Sequence, residues 1–148
     1  HPIPIVHLHG DHDNFVCLAH NCSHDANVIC LQAALGKGTE PPIAMDLEPG
    51  NCGAHQVGKA GNIPVISIDS LNLPSVGLMS LDVEGYETFA LQGAHRTLMR
   101  CRPTLFLEMK GIGRKYGWPD DELHFWLTEG CQYREVARTR KDRIYVPA

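Results

Sequence analysis

No apolar run in this sequence approaches the roughly 20 residues a helix needs to cross a bilayer; the longest are the size of strands. No charged n-region is followed by an apolar h-region, and the first residue is His1 rather than Met, so the start reads as cut, with any targeting segment upstream. Basic charge is sparse. The 13 Lys and Arg stand against 17 Asp and Glu for a formal charge of -4, and only Arg138, Arg140, Lys141 and Arg143 are grouped, so no nucleic-acid footprint is present. The cysteines Cys17, Cys22, Cys30, Cys52, Cys101 and Cys131 include no C-x-x-C pair, and most lie in apolar-periodic segments where a thiol packs as a small hydrophobe. Free thiols point to a reducing compartment, and the expected setting is cytoplasmic, with no membrane or nucleic-acid partner. Internal repeats and low-complexity tracts are absent.

What is present suits one globular unit over residues 1–148: 43% of residues are hydrophobic and 20% charged, enough for one moderate core. Ile3 to Leu8 reads as a short buried strand closed by Gly10, and Asn14 to Asn21 as a helix with Phe15, Leu18 and Ala19 on one face. Asn27 to Ala34 is rich in β-formers and ends at Gly36. Lys37 to Ala60, dense in Gly and Pro, reads as loop with an irregular hairpin. Ile63 to Ile68 alternates, and Val76 to Leu81 is near-continuously apolar, as in a parallel strand buried on both faces. A helix is predicted from Tyr86 to Met99, with Pro103 as its stop, then a strand at Leu105 to Leu107. A second helix spans Asp120 to Thr128, and strands near Tyr133 to Ala137 and Ile144 to Val146 finish the chain. Alternating strands and helices argue for an α/β fold, a partial doubly wound, mostly parallel sheet closed by an antiparallel hairpin.

The most specific segment is Ile63 to Lys110. It carries I-D-S-L, a strand running into Asp82-Val83-Glu84-Gly85-Tyr86-Glu87, a helix with A-L-x-G-A, then Arg102-Pro103 and a strand ending in Glu108. Acids just after a buried strand face the crevice at the carboxyl ends of an open α/β sheet, where ligands bind. If the strand continues through them, Asp82 and Glu84 point to the same side and could receive a proton, hold a hydroxyl or bind a cation. The competing reading is that one of them caps the helix. Glu108 ends the next strand and should approach the same crevice, or else be a surface acid beside Lys110.

This order of elements resembles FkbM-type methyltransferases. Asp13-Asn14-Phe15, Asn27-Val28 and Ala33-Ala34-Leu35-Gly36 also look like that family's second and third strand regions, so the resemblance covers nearly all of the chain. It implies a Rossmann-like methyltransferase fold and, for the complete domain, methyl transfer from S-adenosylmethionine to a hydroxyl of a small molecule or glycan; without the cofactor loop, the alternative for this stretch alone is a non-catalytic remnant in which the sheet survives. Asp82, with Glu84 and Glu108, would be catalytic, while Asn51 and Tyr86 would shape the substrate side. The sequence does not indicate an oligomeric state.

Two departures from the family pattern stand out. The family's first strand and glycine-rich turn are expected before His1, and where the family usually shows Phe-Glu-Pro this chain has Leu8-His9-Gly10. A neutral histidine offers one acceptor where a carboxylate offers two oxygens to the ribose, so cofactor binding would rest on His9 with help from Asp11. The same stretch supports a rival. His7-Leu8-His9-Gly10-Asp11-His12 resembles the zinc loop of metallo-β-lactamase-type hydrolases, with His20, His24 and His55 as looser candidates.

Overall fold

The computed structural model describes residues 5–46 and 56–148. The chain begins with β1 (Ile5–His9), α1 (His12–Cys22) and β2 (Val28–Gln32), a right-sized βαβ unit whose strands pair in parallel from Ile5 opposite Val28 to His9 opposite Gln32. Asp11 ends the strand and starts the helix, its Oδ1 accepting from Asn14 N at 2.9 Å. β3 (Ala34–Leu35) then pairs in parallel with β6 (Val65–Ile66), and between them β4 (Ile43–Asp46) and β5 (Gln56–Ala60) form a bulged antiparallel pair. The irregular hairpin expected in the Gly- and Pro-rich stretch is therefore present.

The rest of the chain builds the largest sheet. β7 (Leu78–Leu81) pairs in parallel with β8 (Thr104–Glu108); β10 (Asp142–Pro147) runs antiparallel to β8 and to β9 (Tyr133–Arg138), giving the order β7-β8-β10-β9. The described strands thus form one four-stranded and three two-stranded sheets, a mixed α/β arrangement rather than one continuous doubly wound sheet. β7 and β8 are neighbours as expected, but not buried on both faces. Met79, Leu81, Leu105 and Leu107 point into the core, whereas Leu78 is 64% and Phe106 39% exposed. β7 is also an edge strand. The apolar run signals hydrophobic residues on both faces, and only one face is covered.

The helix predicted as one piece is two. α2 (Glu87–Gln92) and α3 (His95–Cys101) meet at Gly93 and Ala94. A Cβ at Gly93 would run into the carbonyl oxygen of Gly36, so this glycine permits close approach of backbone to backbone. Asp69, within the 3-10 turn Ile68–Leu71, fixes the joint. Its carboxylate accepts from Arg96 N at 2.9 Å, Thr97 N at 2.8 Å and Thr97 Oγ1 at 2.7 Å, while its own N–H donates to Gly93 O at 2.9 Å. The helix predicted over 120–128 is α4 (Asp120–Phe125) followed by a widened π turn, Trp126–Gly130.

Leu91, Leu98, Leu105, Leu107, Leu127, Tyr133 and Tyr145 are the largest fully buried side chains, so the core lies between the four-stranded sheet and the helices α2 to α4. Burial of each leucine contributes roughly 1.5–3 kcal/mol. The thiols depart from expectation: of the described cysteines only Cys131 is buried, Cys17 is exposed, and none is in a disulfide.

Candidate active site

β7 ends at Leu81, and the chain turns at once rather than extending through the two acids. Tyr86 N donates to Val83 O at 3.1 Å, and Glu84 and Gly85 take positive φ of 52° and 95°. Glycine adopts that geometry at little cost; a glutamate adopts it only where its surroundings hold it. Neither Asp82 nor Glu84 caps the helix that follows, because α2 has no side-chain cap. Glu87 reaches back instead, its Oε1 accepting from Val83 N and Gly85 N, both at 3.2 Å. Glu87 is 5% exposed, and burial pushes its carboxyl up to about 7.

The turn brings three carboxylates together. Oxygens of Asp82, Glu84 and Glu108, the last residue of β8, lie within 4.8 Å of one another. Lys110 closes the group, with Nζ 2.9 Å from Glu84 Oε2 and 2.7 Å from Glu108 Oε2. Burial would raise Glu108, but hydrogen bonds with Asp82 and Lys110 outweigh it and hold Glu108 below the usual carboxylate range. Burial would likewise lower Lys110, and its bonds to Glu108 and Glu84 drive it upward instead. Asp82 takes the opposite course. Partial burial, the hydrogen bond to Glu108 and the charges of Glu108 and Glu84 raise it to about 6. The pair therefore divides its labour, with Glu108 ionised and Asp82 as the group that binds a proton near neutrality. A cation position exists among these oxygens, and the ammonium of Lys110 already supplies two of them with positive charge.

Tyr86 stands beside this group in an aromatic cluster, stacked on Phe89 with ring centroids 4.5 Å apart and edge-on to Tyr116 at 5.1 Å. Burial, the charge of Glu40 and a hydrogen bond with it raise the Tyr86 hydroxyl. Tyr116 donates to Val57 O at 3.2 Å, which ties the β4–β5 region to the same wall. Asn51 and His55, like Cys52, fall outside the described residues.

The N-terminal candidates lie elsewhere. His9 ends β1, in a sheet separate from the carboxylates, and its Nδ1 is buried with no hydrogen-bond partner among the described residues. Asp11 and His12 line a cleft of about 430 Å³ with Gln32, Met45, Asn62 and Pro64, at the carboxyl ends of β1 and β2. The zinc reading finds no support among the described residues. Among the described residues the three carboxylates are the one group of potential ligands that converges; His7, His9 and His12 do not, nor do His20 and His24. His7 and His12 point to solvent.

Sequence reasoning missed Lys110, Glu87 and Asp69 as organisers of the site. Lys110 had a signal, since it stands two residues beyond Glu108 and so emerges on the same side of the chain. Glu87 had only its place in the first turn of a helix.

No curated protein sequence matches the chain. Among solved structures, the methyltransferase FkbM from Methylobacillus flagellatus KT superposes with a TM-score of 0.61 at 16% identity, over 97% of this chain and 36% of that one. The likeness shows a shared fold, and this chain spans little more than a third of that protein's length. A family model described as the methyltransferase FkbM domain matches residues 25–135, from the turn before β2 into β9, and takes in all three carboxylates. With most of its length matched, the chain belongs to the FkbM methyltransferase family.

Proposed function

We propose that this chain carries the acceptor side of an S-adenosylmethionine-dependent O-methyltransferase acting on a small-molecule or glycan hydroxyl. The observation that carries the reading is Asp82, whose carboxyl is raised to about 6 by partial burial and by the acids Glu108 and Glu84, with which it forms one cluster. An ordinary aspartate is too weak a base to take a proton from a hydroxyl. One near 6 is still ionised at pH 7 and accepts a proton more readily. Lys110 binds Glu84 and Glu108 and holds Glu108 below the usual carboxylate range, which keeps negative charge beside Asp82. The bound cofactor would supply an electrophilic methyl group on a sulfonium. Asp82 would then receive the hydroxyl proton as the new oxygen–carbon bond forms, with Tyr86 and Asn51 on the substrate side.

The cofactor side is assigned to His9 and Asp11. The cleft of about 430 Å³ beside Asp11 is of a size that takes small ligands, and the unpartnered buried Nδ1 of His9 is the kind of atom a bound polar group satisfies. His9 offers one such atom, so the ribose contact is weaker than a carboxylate would give. We place the protein in the cytoplasm, without membrane or nucleic-acid partners; no helix among the described residues is long and apolar enough to cross a membrane.

The test is transfer of labelled methyl from S-adenosylmethionine to a panel of hydroxylated small molecules and glycans. The wild-type rate should rise with pH through about 6 as Asp82 loses its proton. Asp82→Asn should lower it by about 100-fold or more, the scale of a general base. Transfer that survives this substitution, or a full-length protein that neither transfers methyl nor binds the cofactor in calorimetry, would overturn the proposal.

A further inference from the structure

A second cavity lies away from the carboxylates, on α4 and its π turn. It measures about 410 Å³ and is lined by Trp118, Asp121, Glu122, Phe125, Trp126 and Gly130. Both tryptophans of the chain are in this lining. Phe125 is 66% exposed, an unusual place for a large ring unless something covers it. The π turn contributes as well. Cys131 N donates to Trp126 O at 3.0 Å, a five-residue step that widens the helix between Trp126 and Gly130, and such turns recur at functional sites.

The charge of the lining has one sign, although the His95 ring lies 6.2 Å from that of Trp126. Its two ionisable lining residues are Asp121 and Glu122, no Lys, Arg or His lines it, and neither carboxylate is hydrogen-bonded or ion-paired among the described residues. Arg138 feels the charge of Asp121, but its guanidinium is held by Glu135 at 2.7 and 2.9 Å. Acids in the first turn of α4 favour its dipole, which accounts for their presence but not for three aromatic rings beside them. Aromatic faces and carboxylates together attract a cation that also has apolar surface. An anion would be repelled, and a compact, strongly hydrated cation would gain nothing from the rings.

We propose that this cavity is a binding site for an organic cation bearing a quaternary or multiply alkylated ammonium group. The head group lies against Trp118, Phe125 and Trp126, and Asp121 and Glu122 balance its charge.

The two tryptophans make the site its own reporter, so the 148-residue chain is titrated by intrinsic fluorescence with choline and, in parallel, with its uncharged isostere 3,3-dimethyl-1-butanol. Choline should give a saturable change with a dissociation constant on the order of 1 mM, and the isostere should bind about tenfold more weakly. Phe125→Ala, at an exposed position, should weaken choline about fivefold or more. Asp121→Asn with Glu122→Gln keeps the shape and should erase the preference for choline over the isostere. Equal affinity for the two probes would mark a simple apolar groove and overturn the proposal. So would the absence of a saturable response, or choline binding that both sets of substitutions leave unchanged.

Discussion

Replacing Lys110 by Met removes the charge from the carboxylate group while keeping most of the side-chain volume. The Lys110 side chain is 25% exposed, and those of Glu84 and Glu108 are 8% and 13% exposed, so both acids depend on it for compensation. Unpairing a fully buried ion costs about 3–5 kcal/mol, and with Lys110 partly in water the loss at pH 7 should fall at the lower end, about 3 kcal/mol. The pH dependence separates this account from a packing defect. In the wild type Glu108 sits below and Lys110 above its usual value, so their contribution is present above the carboxylate range and fades as pH falls through the depressed Glu108 value. In the variant Glu108 loses the ammonium that holds its carboxyl down, so its burial favours the protonated form. That chain recovers stability as pH falls from 7 toward 4, and the gap to wild type should narrow to about 1 kcal/mol or less at the acid end. Urea denaturation at both pH values measures the gap. Lys110 also holds Asp82 down, so the Asp82 carboxyl, followed by NMR, should titrate above its wild-type value of about 6. A difference within about 0.5 kcal/mol at pH 7, the range of an ordinary surface substitution, would refute the reasoning, as would an equal gap at both pH values.

Glu87→Gln keeps an oxygen for Val83 N and Gly85 N but cannot ionise. The raised wild-type value, about 7, makes its contribution full below the ordinary glutamate range and lost as pH rises through 7. The variant should therefore match wild type near pH 4 and exceed it by about 3 kcal/mol at pH 8 in denaturant titrations. Gly93→Ala drives a methyl group into the Gly36 carbonyl and disturbs the bond from Asp69 N, for an expected loss of about 3 kcal/mol in the same experiment.

The elements of this chain were legible where pattern and burial agree. The acids at the ends of β7 and β8 could be placed beside one another because strand ends fix where side chains emerge, whatever the details of the turn. The turn itself was not legible: no spacing rule foretells that Glu84 accepts a left-handed backbone, or that Glu87 supports the loop from within the next helix. Leu78 and Phe106 misled because an apolar residue on a strand does not say whether its face is covered. The break at Gly93 was hidden by an unbroken helical periodicity, since its cause is contact with Gly36, more than fifty residues earlier. Three histidines in H-x-H-x-D-H suggested a metal, but the strand ends at His9 and the helix starts at His12, which parts them.

The core cluster runs almost wholly from Ile68 to Tyr145, whereas β1 and α1 have no buried residue and only Leu8 of the N-terminal unit packs against that cluster. Resistance to opening follows buried contact, so the two parts should not open together. In deuterated water the amides of β1, α1 and β2 would exchange through a low-energy partial opening, while those of β8 and β10 wait for global unfolding. The cleft beside Asp11 is walled on one side by the part that opens first and on the other by residues 44–45 and 62–64, so a molecule seated there would slow exchange in the βαβ unit far more than in the strands that carry Asp82 and Glu108.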